Sequence, residues 1–177
     1  MIRTVLLTTV AAAVSVFPAV AAPAAARPAA TAPATLPSSN PFAKPSTLPF
    51  QTPDFARIKD SDYLPAIVAG MAQQKREIAA IANNPAPPSF NNTMVPIERS
   101  GQLLERAYFA FSAVNGANTN DTLQETDTKT SPLLAAHQDW IYLNEKLFKR
   151  VKALHDKQST LNLNPEQAKL LDVYPPS

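Results

Sequence analysis

Apolar side chains recur every three or four residues along most of the chain after residue 54, the spacing of helices that bury one face. The most regular case is the stretch from Asn92 to about Asn120. Its apolar or small positions are Met94, Ile97, Gly101, Leu104, Tyr108 and Phe111. We predict one helix here, with Asn92 as its N-cap and Val114-Asn115-Gly116 as its end, because glycine accepts the left-handed backbone that closes helices.

Helices are also predicted on both sides of this stretch. The segment from about residue 61 to residue 82 has an apolar stripe, and Asp60 or Ser61 can cap it. A third helix is predicted from about residue 119 towards Tyr142, although its first half is poor in apolar residues. Pro132 predicts a kink or a break in that helix, because proline lacks the N–H that a helix interior needs.

Two shorter helices are predicted nearer the C-terminus. Asn144 can cap the first, and Asn164-Pro165-Glu166-Gln167 combines a cap, a proline at the first helical position and an acid in the first turn. The 177 residues include only three glycines, and strand-like alternation is nearly absent. We therefore predict an all-α fold of antiparallel helices over residues 54–177.

The first residues have the pattern of a secretory signal peptide. Met1-Ile2-Arg3 precedes an almost wholly apolar run to Val20, and Ala19-Val20-Ala21 fits the small-x-small cleavage rule. We predict a signal peptide over residues 1–21 and an exported, periplasmic protein, with cleavage after Ala24 or Ala26 as alternatives. An uncleaved N-terminal anchor or a buried core helix is the competing interpretation.

Residues 22–53 are rich in proline and alanine. Proline favours extended chain, and the segment has too few large apolar groups to offset the entropy of ordering, so we predict a tether over residues 22–39. Residues 40–53 contain Phe42, Leu48 and Phe50, and this extended arm can lie on a surface. A proline-rich ligand for an aromatic groove is the alternative.

Composition excludes several classes of protein. The chain has no cysteine, which excludes a disulfide framework, a thiolate metal site and a cysteine nucleophile. The formal net charge is +2, and no basic run is interleaved with aromatic residues. We therefore predict no nucleic-acid partner, no membrane association of the mature form and no defined protein partner.

The polar side chains form no recognisable catalytic or metal-binding motif. His137 and His155 fall on separate predicted helices without a third ligand, so we interpret His137 as a partly buried helix residue and His155 as a surface residue. Asp121, Glu125 and Asp127 lack the ligand spacing and the glycine of a calcium loop. Glu98 and Glu105 lie beside arginines, so we predict solvated ion pairs rather than an acid–base pair. Ser100 and Ser112 have no His–Asp context nearby that would make either a nucleophile. We predict no catalytic, cofactor-binding or metal-binding residue.

Several short strings occur in a characteristic order. They are N-P-F-x-x-P-S-T-L-P-F at 40–50, F-A-R-I-K-D-S-D-Y-L-P-A at 55–66, A-G-M at 69–71, E-I-A-A-I-A-N-N at 77–84, F-N-N-T at 90–93, E-R-S-G-Q-L-L-E-R at 98–106, A-N-T-N-D-T-L-Q at 117–124, L-A-A-H at 134–137, I-Y-L-N at 141–144 and L-F-K-R-V-K-A-L at 147–154. Together they resemble the N-terminal region of the thimet-oligopeptidase-like zinc metallopeptidases, in the bacterial peptidyl-dipeptidase branch.

The resemblance implies a large, mostly α-helical shell around a channel that admits short, unfolded peptides. It also implies zinc-assisted hydrolysis that releases dipeptides from C-termini, with a His-Glu-x-x-His helix far downstream. This chain has no such motif, and no zinc ligand or catalytic base of the family maps onto its residues. Zinc and short peptides are therefore expected for the full-length enzyme, and not for this chain alone.

Whether the chain is itself an enzyme stays open at this point. The first hypothesis is an N-terminal fragment of an exported peptidyl-dipeptidase, inactive alone, from a truncated or frame-shifted reading frame or made as a deliberate fragment. The second is a non-catalytic exported helical module that binds peptides or a partner protein. The third is that this chain forms an active enzyme only when it associates with a separate catalytic chain.

Overall fold

The structure is a computed structural model, and it describes residues 35–174. The described residues form six α-helices and no strand: α1 Asp60–Ala82, α2 Met94–Arg99, α3 Gln102–Ala117, α4 Asp121–Tyr142, α5 Glu145–His155 and α6 Pro165–Val173. Single 3₁₀ turns lie at Pro41–Ala43, Pro49–Gln51 and Gln158–Thr160. The all-α prediction is confirmed, whereas the predicted signal peptide and the tether up to residue 34 lie outside the described residues.

Two helix starts follow the local chemistry of the sequence. The side chain of Asn144 accepts a hydrogen bond from the N–H of Leu147 at 3.0 Å, and Asn164 accepts one from Gln167 at 2.8 Å. Gln167 Oε1 returns the bond to the Asn164 N–H at 3.1 Å, which completes a capping box. Both predicted caps are confirmed.

The start of α1 differs from the prediction. Lys59 precedes the helix as its N-cap, so Asp60 and Ser61 already lie inside it. The Asp62 carboxylate accepts a hydrogen bond from the Lys59 N–H at 2.8 Å. A carboxylate in the first turn also suits the positive end of the helix dipole, so Asp62 secures a start that the cap residue alone would not provide.

The predicted central helix is two helices. The chain breaks at Ser100 and Gly101 because Gly101 adopts φ +76°, a left-handed conformation that ends α2 and begins α3. The Gly101 N–H donates to Glu77 Oε2 of α1 at 2.8 Å, so the neighbouring helix holds the break in place. Asn92 is not the cap either, because Thr93 precedes α2 and the Asn92 side chain bonds elsewhere.

The predicted end of α3 was wrong: Gly116 does not end the helix, which runs through Ala117 before Asn118 closes it. Of the two alternatives predicted at Pro132, the break does not occur, because α4 is continuous, and the kink stays a prediction. The first half of α4 is polar, yet it packs against the bundle by burying Thr126 and Thr130. The Thr130 hydroxyl donates to the Thr126 carbonyl at 2.8 Å. A satisfied hydroxyl can be buried at little cost, so threonine serves here as a core residue.

The apolar core consists of two clusters at the two ends of α1. The first joins the arm, the first half of α1, α3 and α4, and its largest buried side chains are Phe42, Tyr63, Ile67, Phe111 and Leu123. The second joins the end of α1 to α2, α5 and α6 through Ile78, Met94, Leu154 and Leu171. α1 is thus the central helix on which both halves of the described bundle pack.

Part of the predicted extended arm lies on this bundle. The Asn40 side chain donates to the Asp62 carbonyl at 3.0 Å and accepts from the Phe42 N–H at 2.9 Å. Phe42 is buried against Tyr63, with ring centroids 5.7 Å apart. Leu48 remains exposed, so only the first part of the arm is packed as a surface strap.

Among residues 35–174, no helix is both long enough and apolar enough to cross a membrane.

Candidate functional site

The histidine of α4, His137, is a core residue. It is 2% exposed, and its Nε2 lies 2.7 Å from Gln74 Oε1 of α1, so Nε2 carries the proton and the amide oxygen accepts it. Its Nδ1 is buried and has no hydrogen-bond partner among the described residues. Burial, and then the nearby Lys75 ammonium, lower the pKa of His137. The residue is more deeply buried than predicted, and its neutral form stabilises the contact between two helices.

The second histidine, His155, is not the surface residue that we predicted. Its Nε2 lies 2.7 Å from the carbonyl oxygen of Leu171 and 2.9 Å from that of Tyr174. Two carbonyl acceptors require an N–H, so the ring donates to both, and the Leu171 carbonyl also accepts from the Tyr174 N–H at 3.2 Å. His155 therefore fixes the end of α6 against α5, and both of its contacts are structural.

Glu98 and Glu105 were predicted to form solvated ion pairs rather than an acid–base pair. Glu98 does not pair with an arginine, however: its Oε1 accepts a hydrogen bond from the Tyr174 hydroxyl at 2.7 Å. Burial, and then this bond and the carboxylate charge, raise the pKa of Tyr174. Glu98 thus serves as the acceptor that holds the last described turn of the chain.

The acidic cluster in α4 has ordinary helical contacts. Glu125 pairs with Lys129 one turn later at 2.6 Å, and that hydrogen bond lowers the pKa of the exposed Glu125 carboxyl. The Asp127 carboxylate accepts from the Ser131 hydroxyl at 3.1 Å. The Ser100 hydroxyl donates to the Ile97 carbonyl at 2.7 Å, so it closes the end of α2 and is not placed as a nucleophile.

A zinc ion does not fit the residues of this chain. No group of three His, Asp or Glu side chains converges among residues 35–174. Residues 1–34 and 175–177 contain none of these residue types and no cysteine, so they add no side-chain ligand. Both histidine Nε2 atoms are already hydrogen-bonded within the fold. A zinc site requires about four such donors around one point, and residues 35–174 bring no such set together.

A concavity that sequence patterns did not predict, the arm cleft, lies between the N-terminal arm and the start of α1. Its volume is about 620 Å³, and its lining includes four basic side chains, Lys44, Arg57, Lys59 and Arg106. Arg106 reaches it from α3 and donates from Nη2 to the Phe42 carbonyl at 3.1 Å. The cleft forms where the arm folds back over α1; the sequence predicted that the arm can lie on a surface but did not identify α1 as that surface.

Comparison with known proteins identifies relatives for most of the chain. It is 46% identical to dipeptidyl carboxypeptidase of Salmonella typhimurium over 136 residues, which are 77% of this chain and 20% of the relative. It is 46% identical to dipeptidyl carboxypeptidase of Escherichia coli over 134 residues, 76% of this chain and 20% of the relative. Oligopeptidase A of Escherichia coli is 26% identical over 128 residues, 72% of this chain and 19% of the relative.

These similarities confirm the resemblance to the thimet-oligopeptidase-like peptidases. The chain spans about a fifth of the length of the curated relatives that it matches. No protein-family model matches the chain.

Proposed function

Because this chain is homologous to one part of the dipeptidyl carboxypeptidases and oligopeptidases A, we propose that it forms a piece of the helical wall of a zinc peptidase. In this proposal the complete enzyme removes dipeptides from the C-termini of short peptides, and this piece supplies no catalytic group. The observation that carries the proposal is the 46% identity over 136 residues to a dipeptidyl carboxypeptidase five times longer than the matched region.

The residues in the strings shared with the family support a wall rather than a catalytic centre. Gly70, in A-G-M, lies where α1 approaches the backbone of α3 at Leu104. Gly101, in E-R-S-G-Q-L-L-E-R, makes the break between α2 and α3. His137, in L-A-A-H, bonds Gln74 inside the core. The two glycines serve packing because they lack a Cβ, and His137 serves it through a buried hydrogen bond.

A chimera tests the proposal directly. Residues 40–174 would replace the homologous segment of the Salmonella typhimurium dipeptidyl carboxypeptidase, and dipeptide release from an N-acetylated tetrapeptide would be followed by mass spectrometry with zinc present. We expect the chimera to retain activity, a variant with the segment deleted to lose it, and this chain alone to show none. A folded, monodisperse but inactive chimera, or hydrolysis by the chain alone, would refute the proposal.

Export is part of the proposal and is tested separately. The charged start and apolar run of residues 1–21 support secretion. Expression in Escherichia coli followed by osmotic shock should place the protein in the periplasmic fraction, and N-terminal sequencing should begin at Ala22. Recovery in the cytoplasm with Met1 retained would contradict export without affecting the proposal for the peptidase wall.

A further inference from the structure

The N-terminal arm is held on the bundle by a few side chains near its start. The Phe42 ring is buried against Tyr63 of α1, with ring centroids 5.7 Å apart. Asn40 donates to the Asp62 carbonyl of α1 at 3.0 Å, and Arg106 of α3 donates to the Phe42 carbonyl at 3.1 Å. We call the receiving surface, made of Tyr63, the Asp62 carbonyl and Arg106, the anchor site. Every copy of the chain therefore carries both an anchor site and the arm that fills one.

The segment that joins the arm to α1, residues 44–59, is held mainly by its own turns. Among the described residues, every hydrogen bond of this segment joins groups no more than four residues apart. Leu48, Phe50 and Phe55 are exposed, and Ile58 packs against the core beside the start of α1. The segment can therefore open without losing a hydrogen bond to a distant partner. Fully extended, it spans up to about 50 Å, enough to reach a neighbouring copy.

The folded-back path of this segment contains a strained turn. Phe50 and Gln51 have φ values of +57° and +55°, a left-handed region that residues other than glycine seldom adopt. The turn also leaves the Phe50 ring fully exposed to water. Extending the segment would relieve the strain and would let the ring pack on a second copy. Strained hinge loops favour the exchange of an element between identical chains for this reason.

We propose that two copies of the chain exchange their arms, so that Phe42 of each protomer lies against the partner's Tyr63. The anchor site needs no new chemistry for this, because only the path of residues 44–59 changes. Two reciprocal exchanges close a symmetric dimer and leave no anchor site open to a third copy. An arm on the same chain competes at an effective concentration of about a millimolar, so the dimer forms when the chain folds at high concentration. The proposal is independent of the proposed function, because it concerns the arm and its anchor site alone.

Isotope-filtered NMR identifies which chain supplies each arm. Equal amounts of ¹³C-labelled and unlabelled chain would be unfolded together in urea and refolded at about millimolar concentration, and the dimer would be isolated by gel filtration. We expect NOEs between the Phe42 ring protons of labelled chains and the Tyr63 ring protons of unlabelled chains, because rings with centroids 5.7 Å apart bring protons within NOE range. A dimer without these NOEs, or a chain that stays monomeric after this treatment, would overturn the proposal.

Substitutions at Gln51 test the strained turn, because they change the backbone and leave the anchor site intact. Gln51→Gly accepts the positive φ and should lower the dimer fraction about threefold to tenfold, whereas Gln51→Pro cannot adopt it and should raise the fraction by a similar factor. Thr47→Gly is the matched control, because Thr47 lies in the same segment without a positive φ, and it should leave the fraction within about twofold of the wild type. Equal dimer fractions in the two Gln51 variants would overturn the proposal, since the hinge would then play no part in association.

Association through exposed apolar side chains elsewhere is separated by a double substitution. Tyr142 and Leu143 are exposed at the junction of α4 and α5, outside the anchor site. A chain with Tyr142→Ser and Leu143→Ser should still form the dimer after refolding at high concentration and should keep the NOEs between Phe42 and Tyr63 of different chains. Loss of the dimer in this variant would show surface association and overturn arm exchange. Absence of exchange together with an active chimera would refute this proposal and leave the peptidase wall intact.

Discussion

The guanidinium of Arg150 donates from Nη2 to Asn92 Oδ1 over 2.8 Å, which ties α5 to the loop between α1 and α2. Its Nη1 donates to the carbonyl oxygens of Asn84 and Ala86 at 2.8 and 3.0 Å. Arg150 is only 7% exposed, and the Asn92 oxygen also accepts from the Ser89 N–H at 2.8 Å. A buried cation is thus solvated by neutral oxygens of one loop, and it orders that loop in return.

Replacing Arg150 with methionine should destabilise the chain by about 2–4 kcal/mol, because the change leaves two loop carbonyls without their donor and removes one of the donors to the Asn92 amide oxygen. The free energy of unfolding would be measured by urea titration at pH 7 with circular dichroism. The control is Lys149→Met, since Lys149 is exposed and its nearest carboxylate oxygen lies 3.9 Å away. Lys149→Met should change stability by less than about 0.5 kcal/mol. Equal effects of the two substitutions would show that the Arg150 contacts are not needed.

Glycine is required at position 70 by a close approach of two helices. A Cβ on Gly70 would lie 2.6 Å from Leu104 Cα, so α1 and α3 would have to separate. We expect Gly70→Ala to lower the free energy of unfolding by about 1–3 kcal/mol. Gly116→Ala is the control, because a Cβ there meets nothing within 4 Å and the residue lies inside α3. That change should raise stability by up to about 1 kcal/mol.

Local chemistry made the helix starts at Asn144 and Asn164 predictable. A cap needs only its own side chain and an N–H two or three residues later, and both partners are visible in the sequence. The break at Gly101 was not predictable in this way, because its backbone N–H bonds Glu77, which lies 24 residues earlier. Periodic apolar spacing continues through the break, so the pattern alone gave one helix where there are two.

The polar residues that were misplaced share this dependence on distant partners. Asn92 has the chemistry of an N-cap, but Arg150 and Ser89 occupy its side-chain oxygen. His155 has the polarity of a surface residue, but the carbonyls at the end of α6 accept its N–H. Ser89 is a local partner, but Arg150 and the α6 carbonyls become available only after the helices have packed, so no local pattern identifies them.

The stability of the chain should depend on pH through His137. Its folded-state pKa is lowered from 6.5, so below pH 6.5 the unfolded chain takes up a proton more readily than the folded chain. The stabilisation is therefore complete above pH 6.5 and is lost as pH falls from there through the lowered pKa. Urea midpoints at pH 7.5 and 5.5 would be compared with those of His137→Gln, which keeps an amide near Gln74. A pH dependence equal in the two proteins would show that His137 contributes none of it.

Zinc should leave the thermal stability of this chain unchanged. A ligand that binds the folded state raises the midpoint of unfolding, and the His, Asp and Glu residues here form no group that could hold a metal ion among residues 35–174. We expect equimolar zinc and excess chelator to give the same Tm by differential scanning calorimetry. A rise of several degrees with zinc, reversed by chelator, would reveal a metal site that the fold does not predict.

The chain should self-associate through the exposed apolar residues at the junction of α4 and α5. Tyr142 is 77% exposed and Leu143 is 79% exposed, a placement typical of surfaces that pack against more protein. We expect sedimentation velocity to show oligomers that increase with concentration, and the double substitution Tyr142→Ser, Leu143→Ser to raise the monomer fraction. Gln138→Ser, an exposed polar change in the same helix, controls for lost helix propensity and should leave the distribution unchanged. If the wild-type chain stays monomeric when its concentration is raised 100-fold, these exposed side chains do not drive self-association.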